Sequence, residues 1–187
     1  MKKRILITGA SGFVGYHLTQ AAYLADLEVY ADKKKSSDIS EIETFVSKFV
    51  YPDFEDQSSL KSVLEEGQFN YVVHAAAMTR AKEEQDLINV NVGYTQKIAA
   101  AVFEADIPLE RFVFISSLAA IGPVAYDSNA ITEFNDYHPV TAYGRSKVLA
   151  EKSLDRYQDE RISILRPTAV YGPKEKDLFV LFKTLNS

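Results

Sequence analysis

The chain has 187 residues, 47% of them hydrophobic, with a formal charge of −5 and no cysteine. One domain with a sizeable core is expected, while disulfides, thiol nucleophiles, thiolate metal sites and a basic surface for nucleic acid or anionic lipid are excluded. No apolar run approaches the roughly 20 residues of a membrane span, and the run at residues 5–7 is too short for a signal peptide, so a cytoplasmic protein is expected.

Short β-branched runs alternate with helix-like stretches. The first, residues 4–8 (RILIT), runs straight into TGASGFVG at 8–15, where Gly9, Gly12 and Gly15 fall three apart. Strand, glycine turn and helix in that order suit a diphosphate. Gly9 permits the tight turn, Gly12 lets the backbone approach a pyrophosphate, and Gly15 lets the helix pack closely. The free amides at the helix start, around Phe13 and Val14, and the positive end of the helix dipole then hold the phosphates. Ser11 can add a hydroxyl donor.

Strands follow at 28–31 and 48–51, and the polar stretch 33–44 is expected to be a loop with a short helical piece. Further strands are expected at 71–75, 111–116 and 161–166, and helices at 91–106, 142–157 and 177–185. Nearly continuous apolar strands are buried on both faces. Their alternation with helices implies a doubly wound parallel α/β sheet. In AYGRSK, Tyr143 and Lys147 are four apart and share one helix face. An ammonium near a phenol lowers a pKa that starts near 10, so the tyrosine can exchange a proton with an alcohol at neutral pH.

The T-G-x-x-G-x-x-G turn followed by Y-x-x-x-K resembles the extended branch of the short-chain dehydrogenase/reductase superfamily, the NAD-dependent epimerase/dehydratase type. The resemblance runs from Ile5 to Pro173. It implies a Rossmann-type sheet with hydride transfer between a nicotinamide cofactor and a secondary alcohol or ketone of a small molecule. Ser117, ending the fifth strand in FISSLAAIG, takes the place of the substrate-orienting hydroxyl, beside Tyr143 and Lys147. Ala75, Ala76 and Ala77 match the small residues under the cofactor ribose; His74 reads as a strand-end histidine. Asn91 matches a helix-start asparagine that supports the lysine, although Tyr94 stands where the family usually has glycine. Asp53 and Phe54 match the adenine contacts, and Pro167 and Thr168 the carboxamide contacts.

The second strand ends VYADKKK. An ungapped count from Gly15 puts Lys33 at the ribose-binding acid position, Asp32 one residue early, and Lys34 where reductases specific for the phosphorylated cofactor carry arginine. This leans toward NADP, with Asp32 serving NAD as the alternative. Leu118 and Ala119 stand where family dehydratases carry Asp-Glu, which disfavours elimination. Reductase and sugar-nucleotide epimerase both stay open, with a lean to reductase, and a non-catalytic redox sensor or scaffold is the alternative. The resemblance also implies a substrate domain after YGP, so a fragment that binds dinucleotide yet turns over poorly is expected. A homodimer through a four-helix bundle of the helices at 91–106 and 142–157 is a further implication. No metal or nucleic acid is expected.

Overall fold

The computed structural model describes residues 2–33, 38–127, 129–175 and 183–184. Six strands form one sheet: β1 (Arg4–Thr8), β2 (Glu28–Asp32), β3 (Lys48–Val50), β4 (Tyr71–His74), β5 (Arg111–Ile115) and β6 (Ile162–Leu165). Their spatial order is β3-β2-β1-β4-β5-β6, and every pairing is parallel. The helices are α1 (Phe13–Leu24), α2 (Gln57–Gly67), α3 (Glu84–Ile88), α4 (Thr95–Glu104) and α5 (Ala142–Leu154). The expected strands agree with these to within a residue at either end. In the polar stretch the described helical piece is a 3-10 turn at Glu43–Phe45. Most of the expected helix at 177–185 lies outside the described residues.

Alternate strand residues feed two cores. Leu6, Val72, Phe112 and Phe114 face α2, α4 and α5, meeting Leu60, Leu64, Ile98, Ala101, Ala150 and Leu154. Ile5, Ile7, Val29, Ala31 and Val73 face the other way, toward Ala22 of α1 and Ile42. Phe112 and Phe114 are wholly buried, and each such side chain contributes roughly 1.5–3 kcal/mol of apolar burial. The N-termini of α2 and α5 are capped by side chains. Asp56 accepts from the Ser58 amide at α2, and Thr141 Oγ1 accepts from the Gly144 amide at 2.9 Å at α5.

One expected helix is broken. The 91–106 stretch begins inside a π turn, Asn89–Tyr94, which joins α3 to α4. The wider turn rotates the chain so that Asn91 points inward. Asn91 Nδ2 donates to the Met78 carbonyl at 2.8 Å and to Ser146 Oγ at 2.9 Å, while its Oδ1 accepts from the Met78 amide at 2.8 Å. Irregular turns of this kind persist where they satisfy buried polar groups.

Strand order reverses between β1 and β4. The crevice beyond the carboxyl ends of these strands is where open α/β sheets bind ligands.

Candidate active site

The glycine turn leaves β1 at this crevice. Gly9 has φ +73°, and a Cβ there would stand 2.6 Å from the Ala76 amide nitrogen. Only glycine lets the turn lie against the strand-end segment of β4. A Cβ on Gly15 would stand 2.0 Å from the Gly9 carbonyl oxygen, so α1 is seated on the turn backbone-to-backbone. Gly12 caps α1, and a Cβ there would meet just the Gly9 carbonyl oxygen, at 3.3 Å, leaving its outer side open. No acidic residue occupies the first turn of α1, so the helix itself places no negative side chain at its positive end, although Glu41 and Glu175 line the space beside it.

Asp32 closes β2 beside this turn. Its Oδ1 accepts from the Gly9 amide at 2.7 Å and from the Ala10 amide at 3.4 Å. The strand pairing, with Ala31 opposite Ile7, fixes that placement. The ungapped count therefore misassigned the acid: Asp32, not Lys33, stands at the turn. Lys33 holds its ammonium 5.9 Å from the Phe49 ring centroid, and Lys34 lies outside the described residues. The placement of Lys33 does not support the lean to NADP.

Two adjoining cavities share Gly9, Gly12, Ala75 and Ala77. The first, about 230 Å³, is also lined by Ser11, Asp32, Ala76, Val90 and Tyr94. The second, about 370 Å³, runs from Phe13, Val14 and Gly15 to Ser117, Tyr143, Lys147, Pro167 and Thr168. Together they form a trough of the size small-molecule sites have. A dinucleotide fits this trough on three observations: the open backbone of Gly12, the acid at one end, and the hydroxyl–phenol–ammonium group at the other.

Tyr94, the departure from the family's glycine, gains a reason here. Its ring stacks on Phe54 with centroids 4.8 Å apart and walls the first cavity. Phe54 is buried behind it, and Asp53 is exposed, its carboxylate accepting from the Glu55 amide. Neither Asp53, Phe54 nor Asn91 lines the two cavities. Asn91 is a brace that ties the β4 loop to α5.

At the other end, three consecutive residues of the β5 terminus meet three residues of α5 spaced four apart. Ser117 hydrogen-bonds the Tyr143 side chain. The Ile115 carbonyl accepts from Lys147 Nζ at 2.9 Å. Ser116 Oγ donates to Glu151 in a short contact. Gly144, next to the phenol, makes the approach possible: a Cβ there would lie 2.3 Å from the Ala119 carbonyl oxygen.

The electrostatics differ in one respect from the expectation. Burial pushes the Tyr143 phenol above its ordinary value of 10, and the Ser117 hydrogen bond opposes that rise. Lys147 is not among the causes. Its ammonium is held at the Ile115 carbonyl, 5.8 Å from the Tyr143 ring centroid. Lys147 itself is 1% exposed, and burial lowers it from 10.5 to about 8, with Glu151 acting in the opposite direction. His74 is fully buried and pushed down to about 3, first by burial and then by Lys147. It is neutral at physiological pH and bonds Thr8 Oγ1 through Nδ1 at 2.7 Å. This matches its reading as a strand-end histidine.

Sequence reasoning missed Tyr94 as a wall and Glu151 altogether. The signal for Glu151 was present as a third member of the four-residue register, Y-x-x-x-K-x-x-x-E. Among the described residues, no group of acidic and histidine side chains could hold a metal ion, and no helix is long and apolar enough to cross a membrane.

Comparison with known proteins gives the same picture. UDP-glucose 4-epimerase of Vibrio cholerae is 29% identical over 197 residues, covering 100% of this chain and 58% of that protein. Sterol demethylase protein B of Methylococcus capsulatus is 28% identical over 171 residues, covering 90% of this chain and 52% of its own length. The chain thus spans about half the length of the curated relatives it matches. UDP-glucuronic acid 4-epimerase of Bacillus cereus, solved with NAD, superposes with a TM-score of 0.76 at 28% identity, covering 92% of this chain and 59% of that one. A family model described as the NAD dependent epimerase/dehydratase family matches residues 5–184, and the chain belongs to that family.

Proposed function

We propose that this chain is the dinucleotide-binding part of an NAD-dependent enzyme that oxidises and reduces a secondary carbinol of a sugar nucleotide, as a 4-epimerase does. One observation carries the reading. The glycine turn and Ser117, Tyr143 and Lys147 line one continuous cavity, with Asp32 at the far end of the trough. The epimerase class is supported by relatives and neighbours named as sugar-nucleotide 4-epimerases. The absence of Asp-Glu after Ser117, where Leu118 and Ala119 stand, argues against dehydration.

NAD bound in this trough supplies the nicotinamide carbon that takes and returns a hydride. The protein's own part is positioning and proton control. The α1 amides and Gly12 hold the diphosphate. Asp32, braced on Gly9, accepts from ribose hydroxyls and repels a 2′-phosphate. Ser117 orients the substrate oxygen, Tyr143 moves its proton, and Lys147 presents a buried ammonium toward the ribose.

Calorimetric titration of the 187-residue chain with NADH and NADPH tests the cofactor reading. NADH is expected to bind at least about tenfold tighter, and Asp32→Ala to erase the preference by removing the repulsion of a 2′-phosphate, a charge effect of about 1.4 kcal/mol or more. NADPH binding as tightly as NADH would overturn it. Tyr143→Phe is expected to leave the NADH affinity of this chain within about twofold and, in the whole enzyme that this reading implies, to slow UDP-sugar epimerisation by about 100- to 10,000-fold.

A further inference from the structure

Glu151 lies one helical turn beyond Lys147 and is as deeply buried, 1% exposed. It is held on every side. Ser116 Oγ donates to its Oε1, and Tyr137 donates its hydroxyl to Oε2 at 2.8 Å. Arg166 donates from Nη2 to Oε2 at 2.7 Å and from Nε to both oxygens. Donors from Ser116, Tyr137 and the Arg166 guanidinium reach both of its oxygens, and this offsets the cost of burying a carboxyl group there. Among the described residues, no carboxylate is hydrogen-bonded to Lys147, whose ammonium donates to the uncharged Ile115 carbonyl.

We infer that Glu151 is a positioning residue: its fixed negative charge, one turn from Lys147 and joined to the same strand end through Ser116, keeps the Lys147 ammonium protonated in a site dry enough to strip it. The inference rests on the proposed catalytic role of Lys147. Other groups facing that lysine are accounted for. Tyr143 shares α5, and its phenol is protonated at neutral pH. His74, from β4, is pushed down by burial and by Lys147, and being neutral it adds no charge beside the ammonium. Arg166, just beyond β6, offsets part of the Glu151 charge. Glu175 lines the same cavity. Of these, Glu151 is the anion that raises the lysine against a burial effect acting the other way. The requirement is physical: near neutrality, an amine titrating at about 8 has little margin before it loses its charge.

The test is NMR titration of lysine Cε signals in the 187-residue chain, with Lys147 assigned by its disappearance in Lys147→Arg. The native signal is expected to turn over near 8. Glu151→Gln should lower that midpoint by about one pH unit, and Glu151→Asp should restore it to within about half a unit. A folded Glu151→Gln chain with an unmoved midpoint overturns the inference. If Glu151→Gln does not fold, Arg166→Met decides. Removing the competing cation should raise the midpoint, and a lowered or unchanged one overturns the inference. A purely structural role would not give shifts of opposite sign. NADH affinity measured on the native chain separates the two readings. Failure to bind NADH sinks the proposed function, whereas an unmoved lysine sinks this inference alone.

Discussion

At the scale of single residues, the site is organised by what each polar group can reach. Ser117 draws the Tyr143 phenol down while burial pushes it up. Ser117→Ala should therefore raise the Tyr143 titration further above 10, read by NMR of labelled tyrosine. A midpoint that stays put would remove the serine from the proton-transfer geometry. Tyr143, Lys147 and Ser117 were legible in the chain because helix spacing and a strand end are local properties. Asp32 was harder. Counting from Gly15 overshoots by one residue, and the register of β2 on β1 is what sets its place. Tyr94 and Glu151 escaped because their roles depend on Phe54 and Ser116, which are distant in sequence.

At the scale of elements, the seat of α1 on the glycine turn sets where the first amides of that helix lie. A methyl group at Gly15 collides with the Gly9 carbonyl oxygen, a backbone atom that cannot swing aside. Gly15→Ala should cost about 1–3 kcal/mol in urea unfolding and should weaken NADH binding more than that loss alone implies. Retained NADH affinity would show that the helix start does not grip the diphosphate. The alternation of strands and helices was plain from composition along the chain. The π turn was not, since one wider turn leaves the apolar periodicity almost unaltered. Its reason, the three hydrogen bonds of Asn91, becomes visible only once α5 and the β4 loop are adjacent.

At the scale of the whole molecule, the buried imidazole of His74 ties stability to acidity. Between pH 6.5 and about 3 the unfolded chain binds a proton there that the native chain refuses. Stability therefore rises with pH across this window, by up to about 1.4 kcal/mol per unit, and is lost as pH falls through it. Urea midpoints at several pH values check this, and His74→Asn should give a flatter dependence than the native chain. An equal slope in both would place the acid sensitivity elsewhere. The meeting of α5 with the β5 terminus has a consequence of another kind. Gly144 and the Ala119 carbonyl touch main chain to main chain, with the Pro139 side chain beside them, so a larger residue at 144 has no room. The spacing between the phenol of Tyr143 and the end of β5 is therefore set by backbone packing and not by the size of a side chain at position 144.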